Sequence, residues 1–213
     1  MRNTIIICLL GAVVGVGAAL YYLSTKSYVP VTGTSVPQEV TAPIPTVDQF
    51  IKSNPDTNVL KAGGNSYSDP KGGFGFLYPN DYVLNTSDAK HIRISKKGAT
   101  QKGQTELYDG VLMVFESVDL KNSSLAAFVD SSIQTSTADG TTEIIQSKRQ
   151  TSLNGYFGFT YELRGLGSST YLILQKDSES KTALNITFIA PDPQGKGYQN
   201  DVDAILSTVE LRK

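Results

Sequence analysis

The sequence has 213 residues, with 19 Lys and Arg against 20 Asp and Glu, a formal net charge of −1, one Cys, one His and no Trp. A charge this close to balance argues against the broad basic face of a nucleic-acid binder. One Cys and one His leave neither a disulfide framework nor a transition-metal site built from those ligands.

Residues 1–4 are a short N-terminus carrying Arg2. From Ile5 to Leu23 the chain reads IIICLLGAVVGVGAALYYL, an uncharged apolar run. A helix rising about 1.5 Å per residue makes this roughly 28 Å, close to the hydrocarbon thickness of a bilayer. The run exceeds the roughly 7–15 apolar residues of a signal-peptide core, and Leu20-Tyr21-Tyr22-Leu23 is a poor cleavage site. Tyr21 and Tyr22 suit the membrane–water boundary. The reading is an uncleaved single-pass anchor (5–23), with 1–4 in the cytoplasm and the C-terminal domain outside it. Cleavage would instead give a secreted domain. Cys8 reads as a small hydrophobe within the anchor, because Ile7 is not the small residue a lipoprotein site requires.

Residues 24–65 form a linker. Pro30, Pro37, Pro43 and Pro45 stand among Val and Thr with no helical or strand period, which reads as an extended spacer. Val47 to Leu60 allows a short helix around Phe50 and Ile51, interrupted by Pro55. Gly63-Gly64 marks the boundary, and residues 66–213 are assigned to one folded domain, long enough for its own core.

Strand signals dominate the domain. Phe74 to Tyr78 predicts a first strand closed by Pro79 and turned by Asn80-Asp81. Tyr82 to Leu84 resumes the chain. His91 to Ser95 alternates, with Ile92 and Ile94 on one face. Gly110 to Val118 is nearly all apolar and predicts a central strand buried on both faces. Leu125, Phe128, Val129 and Ile133 then follow helical spacing after a cap at Asn122 or Ser123, and Gly140 closes that helix. Glu143 to Ser152 predicts a strand, Asn154-Gly155 a tight hairpin turn, and Phe157, Phe159, Tyr161 and Leu163 a half-buried strand. Tyr171 to Leu174 and Leu184 to Ile189 complete an antiparallel meander of four strands. Tyr198, Val202, Ile205, Leu206 and Val209 form a last apolar stripe at helical spacing. The expected fold is α+β, an antiparallel sheet covered by helices in an α/β/α sandwich, preceded by one transmembrane helix.

Three stretches carry a family resemblance: GGFGFLYPNDYVL at Gly72 to Leu84, the aromatic meander after Asn154-Gly155 with its Tyr171 strand, and the closing YQNDVDAILSTVEL. In these the chain resembles the PsbP-like group of the Mog1/PsbP-like fold over about Ser66 to Lys213. The resemblance implies an exported, non-enzymatic accessory domain that binds or assembles something at a membrane. Photosynthetic members support the oxygen-evolving complex. This chain departs from them in having an anchor where they have a transit sequence, and its single His carries over no multi-histidine metal site.

Candidate chemistry is sparse. His91, the only possible histidine base, falls on a polar strand face beside Arg93 and Ser95, and no G-x-S-x-G elbow exists. Asp192, Asp201 and Asp203 lack the spacing of a calcium loop. Gly195-Lys196-Gly197 precedes a helix and offers backbone N–H groups to an anion. Tyr78, Pro79 and Tyr82 form a partner-contact patch if the two rings are exposed. The functional expectation is a membrane-tethered extracytoplasmic domain that binds a protein partner at the membrane or envelope, with no cofactor, metal, nucleic acid or catalysis. The alternatives are a cell-envelope hydrolase and a passive structural or adhesive domain.

Overall fold

The computed structural model describes residues 63–71, 73–103 and 106–212. Among these residues no helix is long and apolar enough to cross a membrane. The anchor at 5–23, nearly all of the linker and the short helix expected at Val47 to Leu60 lie outside the described residues.

Among the described residues ten strands and two helices follow in order: β1 (Asn65–Ser68), β2 (Phe74–Tyr78), β3 (Val83–Asn85), β4 (Ile92–Lys97), β5 (Gly110–Asp119), α1 (Leu125–Thr137), β6 (Glu143–Leu153), β7 (Tyr156–Arg164), β8 (Ser168–Gln175), β9 (Thr182–Ile189), α2 (Tyr198–Leu206) and β10 (Glu210–Leu211). They make two antiparallel sheets: seven strands in the order β3-β4-β5-β9-β8-β7-β6, and three in the order β1-β2-β10. The sequence reading expected one sheet covered by helices. Instead the small sheet joins α2 over one face of the large sheet, because β2 alternates Phe74, Phe76 and Tyr78 into that core.

The larger core lies between these layers. From the large sheet, Ile92, Ile94, Val111, Met113, Phe115, Leu174 and Ile186 meet the β2 aromatics and Val202, Ile205 and Leu206 of α2. Phe115 stacks on Phe76 with ring centres 4.1 Å apart. On the opposite face, α1 covers a smaller cluster containing Leu125, Val129, Tyr161, Leu163 and Ile173. Phe128 and Ile133 pack at its margin, so the predicted stripe of this helix is the one it buries.

Two local expectations need correction. The cap of α1 is Ser124, not Asn122 or Ser123. Lys121 and Asn122 both take left-handed backbone, φ 51° and 64°, and Ser123 N–H closes the turn on Leu120 C=O at 2.8 Å. That turn delivers Ser124 in extended conformation, where its Oγ accepts from Ala127 N–H at 3.2 Å. Strand β5, for its part, is fully buried on one face only. Val111, Met113 and Phe115 are sealed in, whereas Leu112 and Val114 on the other face are half-exposed, because α1 packs on β6 and β7.

The meander β6-β7-β8-β9 forms as the turn signals imply. At Asn154-Gly155 both residues are left-handed, φ 53° and 82°, as a two-residue hairpin turn with native twist requires. Asn154 also donates Nδ2–H to the carbonyls of Leu206 and Val209, at 3.0 and 2.9 Å. This ties the hairpin to the end of α2.

Candidate functional site

The predicted contact patch does not reach the surface. Tyr78 is 7 % exposed and Tyr82 5 %. Tyr78 points inward with Phe74 and Phe76 on β2, and Pro79 beside it is half-exposed. The Tyr82 hydroxyl donates to Asp201 at 2.9 Å. Lys96 bridges Asp81 at 2.9 Å and Asp201 at 3.2 Å and lies over the rings of Tyr82 and Tyr198. These groups bind one another and tie α2 to β4 and the β2–β3 turn.

The cluster has a consequence at alkaline pH. Burial first, then Asp201, pushes the Tyr82 phenol far above its ordinary value of 10.0. Burial, with Tyr171 beside it, does the same for Tyr161. Burial pulls the Lys96 ammonium down, but its bonds to Asp81 and Asp201 outweigh this and leave it raised. Unfolded tyrosines lose their protons near pH 10 while these buried ones keep theirs, so unfolding is favoured as pH rises. Stability is therefore expected to be full below pH 10 and to fall above it. Urea midpoints at pH 8 and pH 11 check this, and equal midpoints would refute it.

His91 is not poised for nucleophilic catalysis. Its Nδ1 lies 2.6 Å from Asp88 and its Nε2 3.5 Å from Glu116. Both ring nitrogens face carboxylates, which leaves neither for the serine hydroxyl a triad needs. The bond to His91 is the main cause that holds the Asp88 carboxyl below its ordinary value.

The anion loop is filled by the chain itself. The Asp192 carboxylate accepts from the backbone N–H groups of Lys196 at 2.7 Å, Gly197 at 2.6 Å and Tyr198 at 3.4 Å. The Lys196 bond leads in lowering the Asp192 pKa. Asp192 thus occupies the place at the start of α2 that an external anion would take. Among the described residues no group of three or more His, Cys, Asp or Glu side chains could hold a metal ion.

A groove of about 540 Å³ is open where α1 begins beside the β8–β9 turn. Its floor is aromatic and aliphatic: Phe157, Phe159, Leu120 and Leu125. Phe157 meets Phe159 edge-on with ring centres 5.3 Å apart, yet it is 43 % exposed. The sequence reading set Phe157 on the buried face of a half-buried strand. Alternation sets its face correctly, opposite Gln175 on β8, but it lies against the open start of α1, not beneath the helix. The first turn of α1 carries no acidic residue. Ser124 serves Ala127 and Phe128, so the N–H groups of Leu125 and Ala126 have no partner within the helix. Gln175 lines the same groove, nearly buried, and donates Nε2–H to Ser180 C=O at 2.6 Å. Asp177 and Glu179 on its rim outnumber Lys181, so the site is able to take an apolar side chain on the two phenylalanines and an uncharged hydrogen-bond acceptor at the helix start. No sequence motif pointed to it, since it arises where a helix from one segment begins over strands from two others.

No protein-family profile and no curated protein matches this sequence. Among solved structures, the chain is similar to the solution structure of cyanobacterial PsbP (CyanoP) from Synechocystis sp. PCC 6803, at 14 % identity and TM-score 0.47, covering 70 % of this chain and 93 % of that one. It is also similar to the Ran-binding protein Mog1p of Saccharomyces cerevisiae, at 9 % identity and TM-score 0.44, covering 70 % of this chain and 95 % of that one. Neither likeness transfers a residue role, ligand or partner.

Proposed function

We propose that this chain is a membrane-tethered extracytoplasmic binding module, without chemistry of its own, that holds a protein partner at the groove beside the start of α1. The observation that carries the reading is Phe157, an aromatic ring left 43 % exposed in a groove. An exposed ring on an apolar floor gains by being covered. The partner segment that fits presents an apolar side chain for Phe157 and Phe159 next to an uncharged hydrogen-bond acceptor for the N–H groups at the start of α1, since Asp177 and Glu179 on the rim outnumber Lys181. The apolar run Ile5 to Leu23 supplies the tether, and the Pro-dotted residues after it supply reach.

The test is site-specific photo-crosslinking of the full chain in cells, with the crosslinker at Phe157, at Ser178 on the opposite rim, or at Ser87 outside the groove. One discrete adduct from the two groove positions and none from Ser87, lost in a Phe157→Asp variant crosslinked from Ser178, is the expected result. Equal labelling from all three positions, or none, overturns the groove as the contact site. A hydrolase would instead show turnover abolished by His91→Ala.

A further inference from the structure

Strands β7 and β8 are joined through Gly165-Leu166-Gly167, a tight turn in which Gly165 N–H donates to Gly167 C=O at 3.1 Å. Leu166 at the tip is 97 % exposed. Strand β6 begins alongside, with Glu143 opposite Arg164 and Ile144 opposite Leu163. The register then slips, so that Gln146, not Ile145, stands opposite Glu162. In a regular strand one of two successive residues faces the core. This bulge instead leaves both Ile144 and Ile145 outside it, 49 % and 38 % exposed. Three large aliphatic side chains therefore share one end of the sheet. Arg164 and Glu143 flank them and cancel each other's charge through a 3.1 Å ion pair.

We infer that this tip touches a lipid surface, with Leu166, Ile144 and Ile145 entering the boundary between headgroups and acyl chains. The exposed large apolar side chains of this tip are all aliphatic. Aliphatic side chains projecting at a turn suit the headgroup boundary, whereas protein interfaces favour the aromatic residues this tip lacks. A neutral rim adds no repulsion from either sign of headgroup. The inference rests on the tethered placement proposed above. A tether keeps the bilayer within reach, so a contact too weak to hold a free domain becomes populated. The groove of the proposed function lies by the β8–β9 turn, at the other end of β8, so a tip resting on the membrane leaves it open.

The full chain with Cys8→Ala and Leu166→Cys is spin-labelled, reconstituted in phosphatidylcholine vesicles and probed with oxygen, which partitions into lipid, and a nickel chelate, which stays in water. A label at Glu179→Cys, on the β8–β9 turn, is the reference. The expected result is oxygen access several-fold higher and nickel access several-fold lower at 166 than at 179. An Ile145→Cys label should report the same shift and lose it when Leu166→Asp is added. Equal nickel access at 166 and 179, with the chain retained in the vesicles, overturns the lipid contact and leaves the tether standing. Labels at 166 broadened by each other and shielded from both reagents would mean that a second copy covers the tip, which also overturns it. A chain that does not stay with the vesicles removes both the tether and the contact.

Discussion

Replacing Phe115 with Ala is expected to destabilise the domain by about 3–5 kcal/mol, the range for deleting a buried aromatic side chain. Phe115 is fully buried at the middle of β5. It is where the two sheets meet, its ring 4.1 Å from Phe76 and 6.1 Å from Phe74 between centres. Ile92 across the ladder and Ile186 on the other side are held in register by backbone hydrogen bonds and cannot close the hole. Native domains are stable by about 5–15 kcal/mol, so the loss removes a large share of the total. Tyrosine emission reports unfolding, since the chain has 11 Tyr and no Trp. Urea unfolding of the full chain in mild detergent should show a much lower midpoint with an unchanged slope. A Phe115→Leu variant should lose less than half as much. A midpoint within error of the parent for Phe115→Ala would mean that the two sheets do not share this core.

Gly110→Ala is expected to cost on the order of 4 kcal/mol, the exceptional end of single-residue effects. Gly110 starts β5 at φ +134°, a region that side chains rarely enter. A Cβ there would also lie 2.1 Å from the carbonyl oxygen of Lys96. That oxygen belongs to the backbone of β4, paired with β5 from Ile92 to Lys97, so it cannot turn aside as a flexible side chain would. The Gly110 N–H meanwhile donates to Pro191 C=O at 3.1 Å, so moving Gly110 also disturbs the approach to α2. Gly140→Ala is the comparison. Its φ is +72° but nothing lies within 4 Å of the added carbon, so it should lose only about 1–2 kcal/mol from the left-handed backbone. The difference between the two variants reports the contact with Lys96 together with the less accessible backbone region at φ +134°. Equal losses would place Lys96 further from Gly110 than the ladder implies.

The tip and the groove were differently legible. The sequence shows Ile144, Ile145 and Leu166 as apolar, but strand periodicity would send one of the two isoleucines inward. Only the slipped pairing with β7 frees both. Phe157 is the same lesson in reverse: period-2 alternation gave its face, and the extent of α1 decided that the face is uncovered there. The contact patch expected at Tyr78, Pro79 and Tyr82 failed because a tyrosine beside a turn is equally suited to surface and core. Here β2 runs inside a second sheet and Asp201 takes the Tyr82 hydroxyl. Nothing local to residues 78–82 announces a partner at position 201.

Elements with local causes are legible in the order of residues. The Asn154-Gly155 turn follows from two residues that tolerate positive φ. The buried stripe of α1 follows from spacing at three and four, and the four-strand meander from short turns that can only join neighbours antiparallel. The tertiary structure alone decided which faces are covered and which polar groups meet. The third strand of the small sheet depends on β10 returning to β2, and that pairing joins Glu210 to Gly75. The filling of the helix-start anion loop by Asp192, the pinning of Lys96 between Asp81 and Asp201, and the open groove at Phe157 all bring together residues from separate segments. Backbone propensity acts over a few neighbours and is written in them. Coverage and pairing are sums over contacts between distant segments, and they exist only once the chain has closed.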